Sequence, residues 1–193
     1  MNICVYGASS TELDKVYTDS VESLGKEMAH RNHGLVFGGG AHGLMGAVVR
    51  GVNKANGFSL GIAPKFFDKG DVLYKQCSEF VFTDTMRQRK QLMEERSDAF
   101  IMVPGGIGTF EEFFEVLTLK QLGQLNKPIG VFNVNGYYDD FIAMMQNAVA
   151  QKFMTPQGQE LYGIFDDPSE LLDYIDQQHL SPPDFSGLKK YNI

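Results

Sequence analysis

The sequence predicts an α/β fold, a doubly wound and mainly parallel sheet with helices on both faces. Short apolar runs that end in glycine or proline alternate with longer segments of helical periodicity, which is the order of successive β-α-β units. The runs are nearly continuous in apolar residues, as expected of strands that are covered on both faces. Hydrophobic residues make up 43% and charged residues 21% of the 193 residues, which suits one globular domain with a sizeable core.

The apolar runs are predicted as strands at residues 3–6, 35–37, 60–63, 80–83, 99–103 and 129–134, with a weaker strand at 162–165. The segments between them are predicted as helices at 12–31, 43–55, 86–97, 109–122, 137–151 and 168–178. We assign residues 1–178 to one domain and residues 179–193 to a loosely ordered C-terminal tail. Sheets of this type bind ligands at the carboxyl ends of their strands, so functional residues are expected where strands lead into helices.

The composition excludes several classes of protein. Seventeen basic residues against twenty-four acidic ones give a net charge of −7, which disfavours nonspecific binding to nucleic acid or to an anionic membrane. No apolar stretch reaches the roughly 18 residues of a membrane span, and no basic leader is visible. Cys4 and Cys77 cannot form a disulfide framework, so a reduced, cytoplasmic protein is expected. We predict no metal site, because the histidines lack ligand spacing with one another or with the cysteines; they are His30, His33, His42 and His179. We also predict no cofactor.

A first glycine-rich loop, residues 38–46, follows the second predicted strand. Gly38, Gly40 and Gly43 satisfy the G-x-G-x-x-G pattern of dinucleotide-binding proteins. NAD binding is nevertheless disfavoured, because the loop does not follow the first strand and no acidic residue occurs from 41 to 67 to hold a ribose hydroxyl. The alternative is that these glycines permit positive φ angles and close packing of a helix on the sheet.

A second glycine-rich loop, residues 103–112, follows the predicted strand at 99–103. Gly105, Gly106 and Gly108 leave backbone N–H groups uncovered, and the helix predicted to begin near Thr109 adds its positive end. Together they predict a binding site for a phosphate or another anion. The pattern G-x-x-x-x-G-K-[ST] is absent, so this is not an ordinary nucleoside-triphosphate loop.

Glu112 has two interpretations. Thr109-x-x-Glu112 matches a capping box, in which the glutamate would only return a hydrogen bond to the start of the helix. A carboxylate beside an anion site is electrostatically unfavourable, however, unless it takes part in the chemistry. Glu111 is the other candidate, although helix geometry turns it about 100° away from Glu112.

The segment after the fourth predicted strand carries Arg87, Arg89 and Lys90, a local cluster of cations in an acidic protein. On a helix, Arg89 and Lys90 share a face that can look toward the carboxyl ends of the strands. The alternative is a solvated face on which the cations pair with Glu94 and Glu95. An arginine here could bind a phosphate or orient a catalytic carboxylate.

Ser10 and the serine before it lie between the first predicted strand and the following helix. They are an ordinary N-cap signal for that helix. They also place two hydroxyl groups at the same rim as the glycine-rich loops.

These segments together resemble the LOG ("Lonely Guy") family of cytokinin-activating phosphoribohydrolases. The family pattern P-G-G-x-G-T-x-x-E is present at residues 104–112, and residues 86–90 occupy the place of M-H-x-R-K, with Arg87 where histidine is common. Residues 38–46 are similar to G-G-G-x-x-G-L-M-G, and the segments 7–10, 63–65 and 133–138 follow in the family's order. The resemblance covers about residues 2 to 176, nearly the whole chain.

The resemblance implies a Rossmann-like fold and hydrolysis of the N-glycosidic bond of a nucleoside 5′-monophosphate, such as a cytokinin riboside 5′-monophosphate or AMP. The products would be the free base and ribose 5-phosphate. It also implies a homodimer with active sites close to the subunit interface. The alternatives are a carrier or sensor that binds nucleotides without catalysis, or a lysine decarboxylase, which would need a pyridoxal phosphate lysine that no motif marks.

Carried over by residue, Arg89 and Glu112 resemble the catalytic pair of the family. Lys90 matches a substrate-contacting position, as do Asp71 and Thr118 more weakly, and Arg87 puts the base preference in question. The predicted substrate and phosphate site comprises Ser10, Gly40, Asp71, Lys90, Gly105, Gly106, Ile107, Gly108, Thr109, Glu111 and Thr118.

Overall fold

The computed structural model describes residues 1–182 and contains one seven-stranded sheet in which every strand pair is parallel. The strands are β1 (Asn2–Tyr6), β2 (Gly34–Phe37), β3 (Ser59–Pro64), β4 (Glu79–Thr83), β5 (Ala99–Met102), β6 (Ile129–Phe132) and β7 (Gly163–Phe165). The helices are α1 (Lys15–His30), α2 (Gly43–Lys54), α3 (Met86–Glu95), α4 (Ile107–Gln121), α5 (Asp139–Ala150) and α6 (Pro168–Leu180). Short 3₁₀ turns lie at Lys65–Phe67, Val134–Gly136 and Pro156–Leu161.

The strand order is β4-β3-β2-β1-β5-β6-β7, so the chain winds outward first on one side of β1 and then on the other. In the register, Val5 of β1 lies between Phe37 of β2 and Ile101 of β5. The crevice between the carboxyl ends of β1 and β5 is therefore the topological switch point, where doubly wound sheets bind ligands. The predicted doubly wound, parallel fold is confirmed.

Two apolar cores cover the two faces of the sheet. Successive strand residues point to opposite faces, so Ile3 and Val5 enter one core while Cys4 and Tyr6 enter the other. Helices α1, α2 and α6 cover the first face, and α3, α4 and α5 cover the second. This double coverage explains why the strands are continuous apolar runs. None of the helices in the described part of the chain is long and apolar enough to cross a membrane.

The structure corrects the predicted start of α1 and the predicted end of α6. Helix α1 begins at Lys15, not near residue 12, and Asp14 precedes it without a side-chain cap. The N-cap interpretation of Ser10 is therefore wrong: its hydroxyl accepts a hydrogen bond from the Glu12 N–H at 3.3 Å, within a local turn before the helix. At the other end of the chain, α6 continues to Leu180, two residues into the segment predicted as a tail, and residues 183–193 lie outside the described range.

Candidate active site

A cavity of about 440 Å³ opens at the switch point, between the loops that follow β1 and β5. This volume lies within the ordinary range for small-molecule sites. Its lining joins the two glycine-rich regions, the start of α3 and an apolar wall; the residues are Gly7, Ala8, Ser9, Ser10, Met45, Phe67, Met86, Arg89, Gly106, Ile107, Gly108, Thr109 and Glu112. The structure thus brings Ser10, Arg89, residues 106–109 of the second glycine loop and Glu112 to one cavity.

Glu112 and Arg89 form a buried ion pair at the floor of this cavity. Arg89 Nη1 lies 2.8 Å from Glu112 Oε1, and Arg89 and Glu112 are only 6% and 8% exposed, respectively. Arg89 Nε also donates to the Ile62 carbonyl at 3.2 Å, which aligns the guanidinium along the end of β3. Among the described residues, Glu112 Oε2 and Arg89 Nη2 make no hydrogen bond, so each partner keeps a polar atom for a ligand.

Burial raises the pKa of Glu112 above the ordinary value for glutamate, while the charge and hydrogen bond of Arg89 act in the opposite direction. Cys4 and Tyr6 lie in the interior near this pair. Burial raises the pKa of both groups, and the negative charge of Glu112 adds to the effect. Both therefore stay protonated and neutral at physiological pH, so neither adds a charge beside the ion pair.

Helix α3 directs Arg89 inward because its start is well defined. Thr85 caps the helix by accepting a hydrogen bond from the Gln88 N–H at 3.2 Å, and the Gln88 side chain accepts one from the Thr85 N–H at 3.1 Å. This reciprocal pair is a capping box. It lies at Thr-x-x-Gln in residues 85–88, a signal that the sequence contains and that the prediction missed.

The capping-box interpretation of Glu112 is wrong. Helix α4 begins at Ile107, two residues before the predicted start, with Gly106 as an N-cap that makes no side-chain hydrogen bond. Glu112 lies beyond the first turn and binds Arg89 instead. Thr109 is buried and lines the cavity, so its hydroxyl is a candidate ligand group and not a cap.

The first turn of α4 presents open amide groups to the cavity. The first intrahelical bond runs from the Phe110 N–H to the Gly106 carbonyl, so the N–H groups of residues 107–109 have no helical partner. A Cβ atom added to Gly106 or Gly108 would meet nothing within 4 Å, because the space above these amides is empty. Free N–H groups and the positive end of a helix are features that favour the binding of an anion.

The first glycine loop holds Arg89 in place. A Cβ atom at Gly38 would lie 1.9 Å from Arg89 Nη2, so only glycine leaves room for the guanidinium there. Gly39 and Gly43 have φ angles of +76° and +57°, which favour glycine. Gly40 is buried, forms an isolated bridge with Leu73 and does not line the cavity. These glycines therefore serve local geometry and the seating of the arginine, in agreement with the alternative to dinucleotide binding.

The basic segment is not the solvated face that the alternative interpretation predicts. Arg89 is buried, and the partners of Lys90 are not Glu94 and Glu95. Lys90 pairs with Glu111 and, at 2.7 Å, with Glu115, both on α4. Partial burial lowers the pKa of Lys90, but its hydrogen bonds to the two glutamates raise it, and the net shift is upward. Lys90 and Glu111 thus link α3 to α4 beside the Arg89–Glu112 pair and do not line the cavity.

Two other predicted positions also lie outside the cavity. Asp71 is 93% exposed at its side chain, with Oδ2 at 3.7 Å from His42 Nε2. Thr118 lies on the exposed side of α4, six residues beyond Glu112. Gly105 packs against the Thr109 side chain and does not form part of the cavity wall.

Residues 1–182 contain no group of three or more His, Cys, Asp or Glu that could hold a metal ion.

The sequence prediction missed the apolar wall. Met45, Phe67 and Met86 come from three separate segments and lie together at the cavity. Met86 stands beside the basic cluster, and Met45 lies in the first glycine-rich loop, so the sequence drew attention to their neighbours and not to them. Phe67 lies in the 3₁₀ turn after β3. Only their convergence in space indicates that a flat, apolar group could be held there.

The fold and this cavity define a class: a Rossmann-like α/β protein with open helix-start amides at its switch point and a buried carboxylate–arginine pair beside them. Comparison with known proteins gives the family. Residues 45–175 match the family described as "Possible lysine decarboxylase". A probable cytokinin riboside 5′-monophosphate phosphoribohydrolase of Oryza sativa subsp. japonica is 37% identical over 175 residues, 91% of this chain and 72% of the relative.

A second relative, a cytokinin riboside 5′-monophosphate phosphoribohydrolase of Arabidopsis thaliana, is 36% identical over 183 residues, 95% of this chain and 86% of the relative. The chain belongs to this family, the LOG family of phosphoribohydrolases. Among solved structures, the molybdenum cofactor carrier protein of Chlamydomonas reinhardtii superimposes with a TM-score of 0.69 at 19% identity, covering 93% of this chain and 98% of that one. That likeness shows the shared fold.

The description of the family as a lysine decarboxylase does not fit this cavity. Pyridoxal phosphate enzymes hold their cofactor as a Schiff base on a lysine. Arg89 is the single basic residue among the described residues that line the cavity. The neighbouring Lys90 is ion-paired to two glutamates of α4. The donor set therefore suits an anion and a sugar, and not a Schiff-base cofactor.

Proposed function

We propose that this protein hydrolyses the N-glycosidic bond of a nucleoside 5′-monophosphate, a cytokinin riboside 5′-monophosphate or AMP, and releases the free base and ribose 5-phosphate. The observation that carries the proposal is the position of the buried Glu112–Arg89 pair in the same cavity as the open amides of α4. The two relatives reported above are named for this reaction, which supports the same conclusion.

The phosphate of the substrate would bind at the first turn of α4. The N–H groups of residues 107–109 and the Thr109 side chain face the cavity, and the glycines on both sides of Ile107 let an anion approach closely. This anchor lies remote from the bond that breaks. Its binding energy therefore serves to hold the ribose in register with the reactive groups.

Glu112 would act at the anomeric carbon. Breaking a ribosyl C–N bond develops positive charge on the sugar, and a nearby carboxylate stabilises it. Glu112 Oε1 is held by Arg89, while Oε2 is available to the sugar or to the attacking water. Because burial raises the pKa of Glu112, the carboxylate is a stronger proton acceptor than an exposed glutamate, which suits a general base.

Arg89 would orient this carboxylate and the sugar. Its guanidinium is permanently charged, so it is a poor general acid and a good fixed partner. Nη1 binds Glu112 and Nε binds the Ile62 carbonyl, which leaves Nη2 for a substrate hydroxyl. The apolar side chains of Met45, Phe67 and Met86 line the cavity and could pack against the base.

The 5′-phosphate should decide which substrates react. We expect AMP and a cytokinin riboside 5′-monophosphate to release base, and the dephosphorylated nucleosides to show kcat/KM values lower by about a thousandfold or more, because several charge-assisted hydrogen bonds are lost. Chromatography of the free base from a panel of nucleotides and nucleosides measures this. Equal rates for both forms would contradict phosphate anchoring, and AMP binding without base release over hours would favour a carrier or sensor.

We also propose a cytoplasmic homodimer with its active sites near the subunit interface. Ile107, at the mouth of the cavity, is 89% exposed in the single chain, and Phe67 and Met86 are partly open beside it. Apolar side chains around a cavity mouth are typical of a surface that a second subunit covers. Asp71 and Thr118, which lie outside the cavity of their own chain, could then contribute to a shared site. Sedimentation equilibrium gives the mass that tests this.

Replacing Gly38 by alanine should impair catalysis by displacing Arg89. We expect kcat to fall by about a hundredfold, because the added methyl group occupies the place of Nη2 and the ion pair with Glu112 shifts. The backbone at Gly38 needs no positive φ angle, so the fold should survive. Steady-state kinetics with circular dichroism measure both effects.

The matched control for this variant is Gly158→Ala, where the new Cβ would approach the flexible end of Met154 at 3.1 Å and the Thr155 hydroxyl at 4.0 Å, with no backbone atom within 4 Å. This control should keep wild-type kcat. A Gly38→Ala variant with wild-type kcat would show that the arginine tolerates displacement.

A further inference from the structure

The turn between β6 and α5 contacts the phosphate-binding loop through two consecutive tyrosines. The Tyr137 hydroxyl donates to the Gly105 carbonyl at 2.6 Å, and the Tyr138 hydroxyl donates to the Val103 carbonyl at 2.7 Å. Neither tyrosine lines the catalytic cavity. Both donate to carbonyl groups of the loop, but Tyr137 is partly exposed whereas Tyr138 is fully buried in the second core.

The turn itself is rigid. The Asn133 side chain accepts a hydrogen bond from the Tyr138 N–H at 2.6 Å and donates one to Asp139 at 2.9 Å. Asn135 and Gly136 have positive φ angles of 53° and 70°, which close the turn. The tyrosines are therefore presented to the loop in a defined direction.

The covalent geometry of the peptide bond makes the two contacts unequal. Cis peptide bonds are absent from residues 1–182, so the carbonyl of each residue and the N–H of the next point in opposite directions. A hydroxyl that holds the Gly105 carbonyl thus fixes the direction of the Gly106 N–H, which points away from Tyr137, and Gly106 lines the catalytic cavity. The Val103 carbonyl precedes Pro104, which has no N–H to aim.

We propose that Tyr137 is a positioning residue of the phosphate site, which orients the Gly105–Gly106 peptide so that its N–H binds the substrate phosphate. Tyr138 satisfies a buried carbonyl and supports the fold. The proposal rests on the proposed function for the identity of the anion. It extends that function to a residue outside the cavity.

The space around the loop supports this assignment. A second cavity of about 230 Å³ adjoins the loop and is lined by Gly105, Gly106, Tyr17, Tyr137 and Leu44, among others; it shares Ala8, Ser10 and Gly106 with the catalytic cavity. Because Gly105 and Tyr137 both line this open space, close packing does not fix the peptide on that side. The hydrogen bond from Tyr137 is what restrains the peptide from rotating into it.

Tyr137→Phe, which removes only the hydroxyl, tests the proposal. We expect the affinities for inorganic phosphate and for ribose 5-phosphate, measured by calorimetry, to fall about fivefold, since one well-formed hydrogen bond is lost. The KM for a nucleoside 5′-monophosphate should rise by a similar factor, with kcat changed less than twofold. Tyr138→Phe should instead lower the melting temperature and keep phosphate affinity within twofold of the wild type, since a buried carbonyl loses its partner.

Tyr17→Phe is the matched control. Tyr17 lines the same small cavity and packs edge-on against Tyr137, with ring centroids 6.1 Å apart, but its hydroxyl makes no hydrogen bond to the described residues. It should keep wild-type phosphate affinity and melting temperature. Wild-type affinity in Tyr137→Phe, a greater loss of affinity in Tyr138→Phe than in Tyr137→Phe, or a wild-type protein that binds no phosphate would each overturn the proposal. If the wild-type protein binds phosphate but releases no base, the proposed reaction fails while the binding comparison still stands.

Discussion

Replacing Glu112 by glutamine is expected to reduce base release from a nucleoside 5′-monophosphate by about a thousandfold while the protein stays folded. Glutamine has nearly the same size, so the cavity keeps its shape. It carries no negative charge to stabilise the developing cation of the sugar and accepts no proton from water. Initial rates of base release measure the effect, and calorimetric titration with AMP shows whether the substrate still binds.

Glu115→Gln is the matched control for this variant. Glu115 lies one turn further along α4 and pairs with Lys90 outside the cavity, and Glu111 remains to hold that lysine. Its rate should equal that of the wild type. A Glu112→Gln protein with more than about a tenth of the wild-type rate would show that the carboxylate is not essential to the chemistry.

Replacing Arg89 by methionine is expected to abolish activity and to destabilise the protein in a pH-dependent way. The substitution leaves Glu112 buried without its cation, and breaking a buried pair from one side costs about 3–5 kcal/mol. Burial already raises the pKa of Glu112, and removal of Arg89 removes the main opposing effect, so the pKa rises further. Urea unfolding from pH 5 to pH 8 measures the difference in unfolding free energy from the wild type.

The sign of the pH dependence follows from that raised pKa. Below the pKa of the unfolded chain, Glu112 is protonated in both states and the burial penalty is absent. As the pH rises toward the pKa of the folded state, the unfolded state releases its proton first, and the folded state loses stability. The variant should therefore lie closest to the wild type at acid pH and furthest from it at pH 8. A difference that does not change with pH would mean that Glu112 is not the group left unpaired.

The double variant Arg89→Met, Glu112→Gln separates stability from catalysis. Removing both charges eliminates the unpaired carboxylate, so much of the lost stability should return and the pH dependence should disappear. Activity should stay absent, because neither reactive group remains. Recovery of stability in the double variant would show that the two residues interact directly in solution.

Most of the fold follows from local patterns in the sequence. Continuous apolar runs predict all seven strands, because a strand covered on both faces has no polar alternation. The helices between them also lie where the periodicity places them, with ends that differ by a few residues. The second glycine loop predicts the anion site for a similar reason: exposed N–H groups at a helix start are a property of the loop and its helix alone.

Only the tertiary structure decided how the charged residues pair. Arg89 and Glu112 lie 23 residues apart, and their ion pair depends on the approach of α3 to α4 and on the space that Gly38 leaves. The hydrogen bond from Tyr137 to Gly105 likewise joins segments 32 residues apart. The sequence by itself determined the sheet, the loops and the kinds of reactive group at their ends. Which of those groups meet was decided by long-range packing, because the burial and the pairing of a charge depend on neighbours that local sequence does not specify.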